Sequence, residues 1–165
     1  MTGIAYYTSP VGDLAIESKE DKIVSTGFLR KSRQKEILTP VIRQCINELD
    51  DYFYRNRKFF SVTLDLRGTD FQKKVWNALL DIPFGTTRSY TDIAIAVGDL
   101  KSIRAVGLAN GQNPFPIIVP CHRVIGKDGS LVGYGGGLDK KQWLLQHEGV
   151  ITRQMEMFGT STSKI

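Results

Sequence analysis

The pattern of apolar and polar positions changes period about 70 residues into the chain. Residues 4–29, IAYYTSPVGDLAIESKEDKIVSTGFL, hold three short apolar stretches separated by SPVGD and SKEDK. Both separators are turn chemistry, so the segment predicts three strands. A helix is expected next, with Thr39 placed to cap it and Pro40 suited to its first position. Ile42, Cys45, Ile46, Leu49, Tyr52 and Phe53 recur at spacings of three and four and form one apolar stripe. SVTLDL, 61–66, alternates and predicts a strand that closes this half.

RGTDF, 67–71, reads as a joint. Thr69 and Gln72 have capping-box spacing, and Phe71, Val75, Trp76, Leu79 and Leu80 line one face of the helix they open, which Pro83 ends. Residues 84–114 predict two further helices. Ser89 and Asp92 form a second capping box and Gly98 stops the first helix; the second runs from about Lys101 to Asn110, with Gly111 as its stop. Two short helices with a brief turn suit a helix-turn-helix, and equally plain packing. Ile117-Ile118-Val119 before Pro120 predict a stiff strand end entering a turn. GYGGG, 133–137, is a flexible loop, and Asp139 and Gln142 open a last helix that ends at Gly149. From about 153 the chain reads as a polar, irregular tail.

The 165 residues allow one domain or two small lobes. No apolar run approaches the roughly 20 residues needed to span a bilayer. MTGIAYYTSPVG lacks a basic patch followed by an apolar stretch, so no signal peptide is expected. Two cysteines make no disulfide framework, and a reducing, cytoplasmic setting is expected. The net charge is +5. Residues 1–66 carry 10 Lys/Arg against 9 Asp/Glu, and residues 67–153 carry 11 against 7. The excess therefore lies mainly in the second half, which suits an anionic partner such as nucleic acid.

Half of the chain's cysteines and histidines stand together at Cys121-His122. Zinc wants three or four ligands, and the remaining Cys45 and His147 are poorly placed to supply them, so no metal is expected. An inert buried thiol and a reactive one both remain open. A reactive thiol needs a base or a positive charge nearby; His122 is a candidate base and Arg123 adds positive potential. Side chains adjacent in an extended segment point to opposite faces, so a turn or a bridging water is needed for the two to cooperate. A third group must orient the imidazole, and Glu148 is a candidate. His147 reads as a helix-end residue near the last carbonyls.

PCHRVIG, preceded by RAVGLANGQNP and followed by GYGGG and HEG, resembles the O6-alkylguanine-DNA alkyltransferases, also called methylated-DNA–protein-cysteine methyltransferases. The likeness is dense from Asp70 to Gly149 and looser before it, where SPVGDLAI carries it. It implies a ribonuclease-H-like α/β domain over 1–66, a linker at 67–70, and a mainly α domain over 71–152 with a helix-turn-helix, before the tail at 153–165. It implies irreversible, single-use transfer of an alkyl group from O6-alkylguanine to Cys121, with O4-alkylthymine as a second candidate substrate and no cofactor. The target base would be flipped out through the minor groove. By the same resemblance His122 is the base acting through a water, Glu148 orients it, Tyr90 donates a proton to the guanine, and Asn113 braces the active-site turn. Arg104 would enter the gap left by the base, with Ser89, Ala105, Gly107, Ala109 and Gly111 at the DNA surface. Pro120, Val124, Tyr134, Gly135 and Gly136 would line the pocket; some relatives have serine where this chain has Gly135, which removes a hydroxyl contact to O6. The partner implied is double-stranded alkylated DNA, bound by a monomer that needs no other protein, with association along DNA left open.

Overall fold

The computed structural model describes residues 1–153 and 155. Three strands open the chain, β1 (Thr2–Ser9), β2 (Gly12–Lys19) and β3 (Lys22–Ser25), paired antiparallel in that order. The turn runs fall where the sequence puts them. Glu20 and Asp21 both take positive φ, 52° and 65°, and close the two-residue hairpin between Lys19 and Lys22. The register places Ala5 opposite Ile16 and Tyr7 opposite Leu14, so their buried side chains share one face.

Helix α1 (Pro40–Tyr54) packs on that sheet. Its start is set locally: the Thr39 hydroxyl accepts the Ile42 N–H, and Pro40 occupies the first turn. Ile42, Cys45, Leu49 and Tyr52 are fully buried against the sheet's Leu14, Ile16 and Ile23. Each such side chain contributes about 1.5–3 kcal/mol by leaving water.

The strand expected over 61–66 is reduced to one bridge, in which Leu64 pairs parallel with Ile23. A carboxylate competes with the ladder. Buried Glu48 of α1 accepts from Ser61 N at 2.8 Å and Val62 N at 3.1 Å, so those two N–H groups are already taken. Its own ionised form is favoured by these bonds, against the opposing effect of burial.

The chain divides into two compact units. The first comprises Met1–Gly68 with Pro114–Ile118, the second Thr69–Asn113 with Val119 onward. The segment 114–118 is not the strand end the sequence predicts. It is a turn in which Ile117 has φ 77°, a rare conformation for a β-branched residue. Within the first unit Thr26 holds it, donating its N–H to Pro114 O (3.0 Å) and its hydroxyl to Pro116 O (3.3 Å), and Phe115 and Ile117 are fully buried.

The second unit is mainly helical. It contains α2 (Asp70–Leu80), a two-residue strand β4 (Arg88–Ser89), α3 (Tyr90–Ala96), α4 (Ile103–Gly111), a two-residue strand β5 (Val124–Ile125) parallel to β4, and α5 (Leu138–His147). Both capping boxes form: Thr69 with Gln72 and Ser89 with Asp92. A 3-10 turn, Leu100–Ser102, leads into α4, and Gly111 lies inside the helix, with Gln112 capping it. The Trp76 indole N–H donates to Ala109 O at 2.9 Å and ties α2 to α4. The expected tail lies largely outside the described residues; of its first members, Arg153 and Met155 are helical, and Met155 is buried against Leu131 and Leu145. Among the described residues no helix is long and apolar enough to cross a membrane.

Candidate active site

Cys121, His122 and Arg123 form a single 3-10 turn just before β5. In that turn adjacent side chains stand about 120° apart around the axis, rather than on opposite faces as in a strand. All three are buried, and His122 has no solvent exposure at all. The backbone is pinned on both sides of the thiol. Asn113 Nδ2 donates to Val119 O at 2.8 Å, and buried Asn110 Nδ2 donates to Cys121 O at 3.4 Å.

His122 Nε2 lies 2.7 Å from Glu148 Oε2. Glu148 caps α5 just before Gly149, whose φ of 82° ends the helix. The same carboxylate receives a fork from Arg123: Nε donates to Oε1 at 2.8 Å and Nη2 to Oε2 at 3.0 Å. Arg123 Nη1 donates to Ile82 O, just past α2, at 2.6 Å. The expectation that Arg123 adds positive potential to the thiol therefore needs refining, since its guanidinium is committed to Glu148.

This arrangement fixes the protons. Burial alone would raise the Glu148 carboxyl, but the hydrogen bonds from His122 and Arg123, together with the Arg123 charge, outweigh it and hold the group well below the usual carboxylate range. Burial holds the His122 imidazole below its ordinary value, so its resting form is neutral. An ionised carboxylate only accepts, so Nε2 must carry the imidazole proton. Nδ1 is then the basic atom; it is buried and has no hydrogen-bond partner within the described structure.

The Cys121 thiol is pushed up by burial, with an Asn113 hydrogen bond and the charge of Lys141 acting the other way. Lys141 is the residue that sequence reasoning missed. It sits on α5, is fully buried, and donates from Nζ to Val124 O (2.6 Å), Val132 O (2.8 Å) and Gly133 O (3.0 Å). Burial lowers it to about 8. In sequence it is one of two adjacent lysines on a helix, and only its place among the core-facing residues of α5, three before Leu144, hints at burial.

The Tyr90 hydroxyl donates to Val132 O at 2.9 Å, so Tyr90 and Lys141 share one carbonyl. Burial raises the Tyr90 phenol, and Cys121 adds to the shift. Tyr134 is raised well above its ordinary value by burial, with Cys121 and Glu148 contributing. Pro120 and Val124 are buried beside the thiol in sequence, while Gly135 is exposed and Gly136 half-buried in the loop before α5. A groove of about 800 Å³ between α2 and α3 is lined by Lys74, Arg88, Asp92 and their neighbours and does not include Cys121.

The residues expected at a DNA surface separate into two groups. Arg104, Ala105 and Gly111 are exposed on α4, Gly107 is half-buried there, and Ser89 is half-buried as the cap of α3. Ala109 does not join them. It is 2% exposed and faces inward, with its carbonyl bonded to Trp76. Trp143 stacks on His147 with centroids 5.1 Å apart, which keeps that second histidine at the end of α5. Among the described residues no group of three or more His, Cys, Asp or Glu is arranged to hold a metal ion.

Comparison with known proteins places this geometry in a family. Residues 4–66 match the ribonuclease-like domain of 6-O-methylguanine DNA methyltransferase, and residues 70–150 match the DNA binding domain of the same family. A methylated-DNA–protein-cysteine methyltransferase of Methanosarcina acetivorans is 44% identical over 151 residues, covering 88% of this chain and 97% of the relative. One of Mycobacterium tuberculosis is 46% identical over 145 residues, covering 85% and 88%. The solved structure of Mycobacterium tuberculosis OGT in complex with DNA aligns with a TM-score of 0.81 at 45% identity, covering 88% of this chain and 92% of that one. The two domain matches and the relatives at this identity agree: the chain belongs to the 6-O-methylguanine DNA methyltransferase family.

Proposed function

We infer that the protein repairs DNA directly, by moving the alkyl group of an O6-alkylguanine onto Cys121. The observation that carries this assignment is the buried thiol preceding a neutral imidazole whose far nitrogen is held by an ionised glutamate. Displacement at an alkyl carbon needs a soft nucleophile, and thiolate is the softest a protein offers.

In this reading His122 Nδ1 takes the thiol proton through a water, and the imidazolium that forms is stabilised by Glu148. The S–C bond forms as the C–O6 bond breaks, and the bonding pair stays with the guanine. Tyr90 gives its hydroxyl proton to a ring nitrogen of the leaving base and recovers one at the expense of the imidazolium. The net change is one proton moved from Cys121 to guanine. For this Tyr90 must turn from Val132 O to the base. The product is a thioether, which water does not readily cleave, so each molecule reacts once and needs no cofactor.

The lesion must leave the duplex to meet a thiol that is only 6% exposed. Extrusion costs a few kcal/mol. Helices α3 and α4 serve as the helix-turn-helix, with Arg104 filling the space the base leaves and the minor groove as the approach. Arg104 is exposed and makes no ion pair among the described residues, which leaves its charge available to DNA.

The test is intact mass after mixing with a duplex carrying O6-methylguanine. One methyl is expected, on Cys121, and no more than one per molecule. Cys121→Ala should abolish transfer and keep DNA binding. An unmodified protein, or turnover beyond one equivalent, refutes the assignment.

A further inference from the structure

Two of the nine residues of α4, Gly107 and Gly111, are glycines inside a regular helix. Glycine is a poorer helix former than alanine. Neither residue has positive φ, and a Cβ built on either would meet nothing within 4 Å. The packing of the described residues of the second unit therefore does not require them. Bare backbone on an outer helix face serves close approach by something from outside.

One large apolar side chain stands among these positions. Leu108 is 64% exposed. It lies four residues after Arg104 and three before Gly111, so the three form one stripe along the helix. An exposed leucine alone carries no meaning. This one shares its stripe with an arginine that makes no ion pair among the described residues, and it is flanked by two positions without side chains, Gly107 before it and Gly111 after it.

We propose that Leu108 is an apolar wedge that enters the DNA groove beside Arg104 and assists extrusion of the alkylated base. The proposal rests on α4 being the helix that faces DNA. Extruding a base breaks its stacking, and apolar wedges at minor-groove interfaces, leucine among them, act by prying steps apart. Arg104 offers the gap charge, hydrogen bonds and one flat guanidinium face. Leucine adds aliphatic bulk beside it, and with its short reach it arrives only if the backbone comes close. Gly107 and Gly111 allow that approach.

The test compares wild type with Leu108→Ala on three substrates: O6-methylguanine in a duplex, the same lesion in a single strand, and the free base O6-benzylguanine. Leu108→Ala should react about tenfold more slowly on the duplex, about 1.4 kcal/mol in the barrier, and near wild type on the other two. Leu108→Met, which keeps the apolar bulk, should restore the duplex rate. An equal loss on single strand and duplex makes Leu108 an ordinary contact, and an equal loss on the free base makes it a support of the fold. Either result, or no change at all, overturns the wedge. A wild-type protein that takes no alkyl group from any of the three sinks the assigned function itself, a separate outcome.

Discussion

His122 and Glu148 meet through a 2.7 Å hydrogen bond in which neither side chain touches solvent, and Arg123 holds the far side of the same carboxylate. The three residues behave as one charged unit: a cation, an anion and a neutral ring whose tautomer the anion selects. Under the proposed function Glu148 is a positioning residue, because it would act on the thiol only through His122.

Glu148→Gln should separate positioning from simple structural support. The amide no longer fixes which imidazole nitrogen carries the proton, and it no longer stabilises the imidazolium. Alkyl transfer should slow about a hundredfold or more. Arg123 is also left buried without its counter-charge, which should cost about 3 kcal/mol of stability. Single-turnover kinetics and denaturant unfolding read the two effects. Wild-type kinetics in a destabilised variant would make Glu148 a support of the fold alone.

Stability should fall on the acid side for two distinct reasons. His122 has a folded pKa below its ordinary 6.5, so the unfolded chain takes a proton first as pH drops through 6.5 and the folded state loses ground. Glu148 has a folded pKa far below its ordinary 4.5, so its contribution is complete above 4.5 and is lost as pH falls further. Urea unfolding across pH 3–8 should show both limbs, and Glu148→Gln should flatten the lower one.

Lys141 should act in the opposite range. Its folded pKa is about 8 against an ordinary 10.5, so burying the ammonium costs stability below pH 8, and that cost is relieved as pH rises from 8 to 10.5. Lys141→Met should remove this alkaline rise. It should also remove the charge that opposes burial at Cys121, and so move the pH at which transfer becomes fast upward. An unshifted pH–rate profile would assign Lys141 to loop support alone.

Arg104→Ala should weaken repair of a duplex far more than reaction with free alkylated base. Its side chain is exposed on α4 and makes no ion pair among the described residues, so the fold should be unaffected. Equal losses on the two substrates would count against a part in base extrusion.

Gly107→Ala should give a more stable protein that repairs duplex DNA more slowly. The added methyl meets nothing inside the fold, and alanine favours the helix by about 1 kcal/mol. Thermal unfolding and duplex kinetics should move in opposite directions. A variant that gains stability with unchanged duplex kinetics would show that α4 does not come close to its partner there.

What could be read from the sequence was what is decided locally. Thr39, Thr69 and Ser89 cap helices through atoms within three residues of themselves, and the structure has all three caps. The first three strands followed from alternation and turn chemistry. Contacts made at long range stayed hidden. Ile117 adopts φ 77° against its own preference because Thr26, about ninety positions earlier, holds the carbonyls around it. The 61–66 strand gave way to Glu48, and Lys141 reads as a surface charge until three carbonyls converge on it. At the candidate site, residue types and family likeness pointed to Cys121, His122 and Glu148, and the structure joins the last two by a hydrogen bond. The commitment of Arg123 to Glu148 and the inward turn of Ala109 were not identifiable, because neighbours in space decide both.

The Arg123 guanidinium reaches Ile82, 41 positions earlier, and Glu148, 25 positions later. The buried His122–Glu148 pair therefore exists only once three distant segments have closed on one guanidinium. A nascent or partly unfolded chain carries Cys121 as an ordinary exposed cysteine, with no ordered imidazole beside it and no walls to choose what reaches the sulfur. Under the proposed function, folding decides which electrophile the single thiol meets.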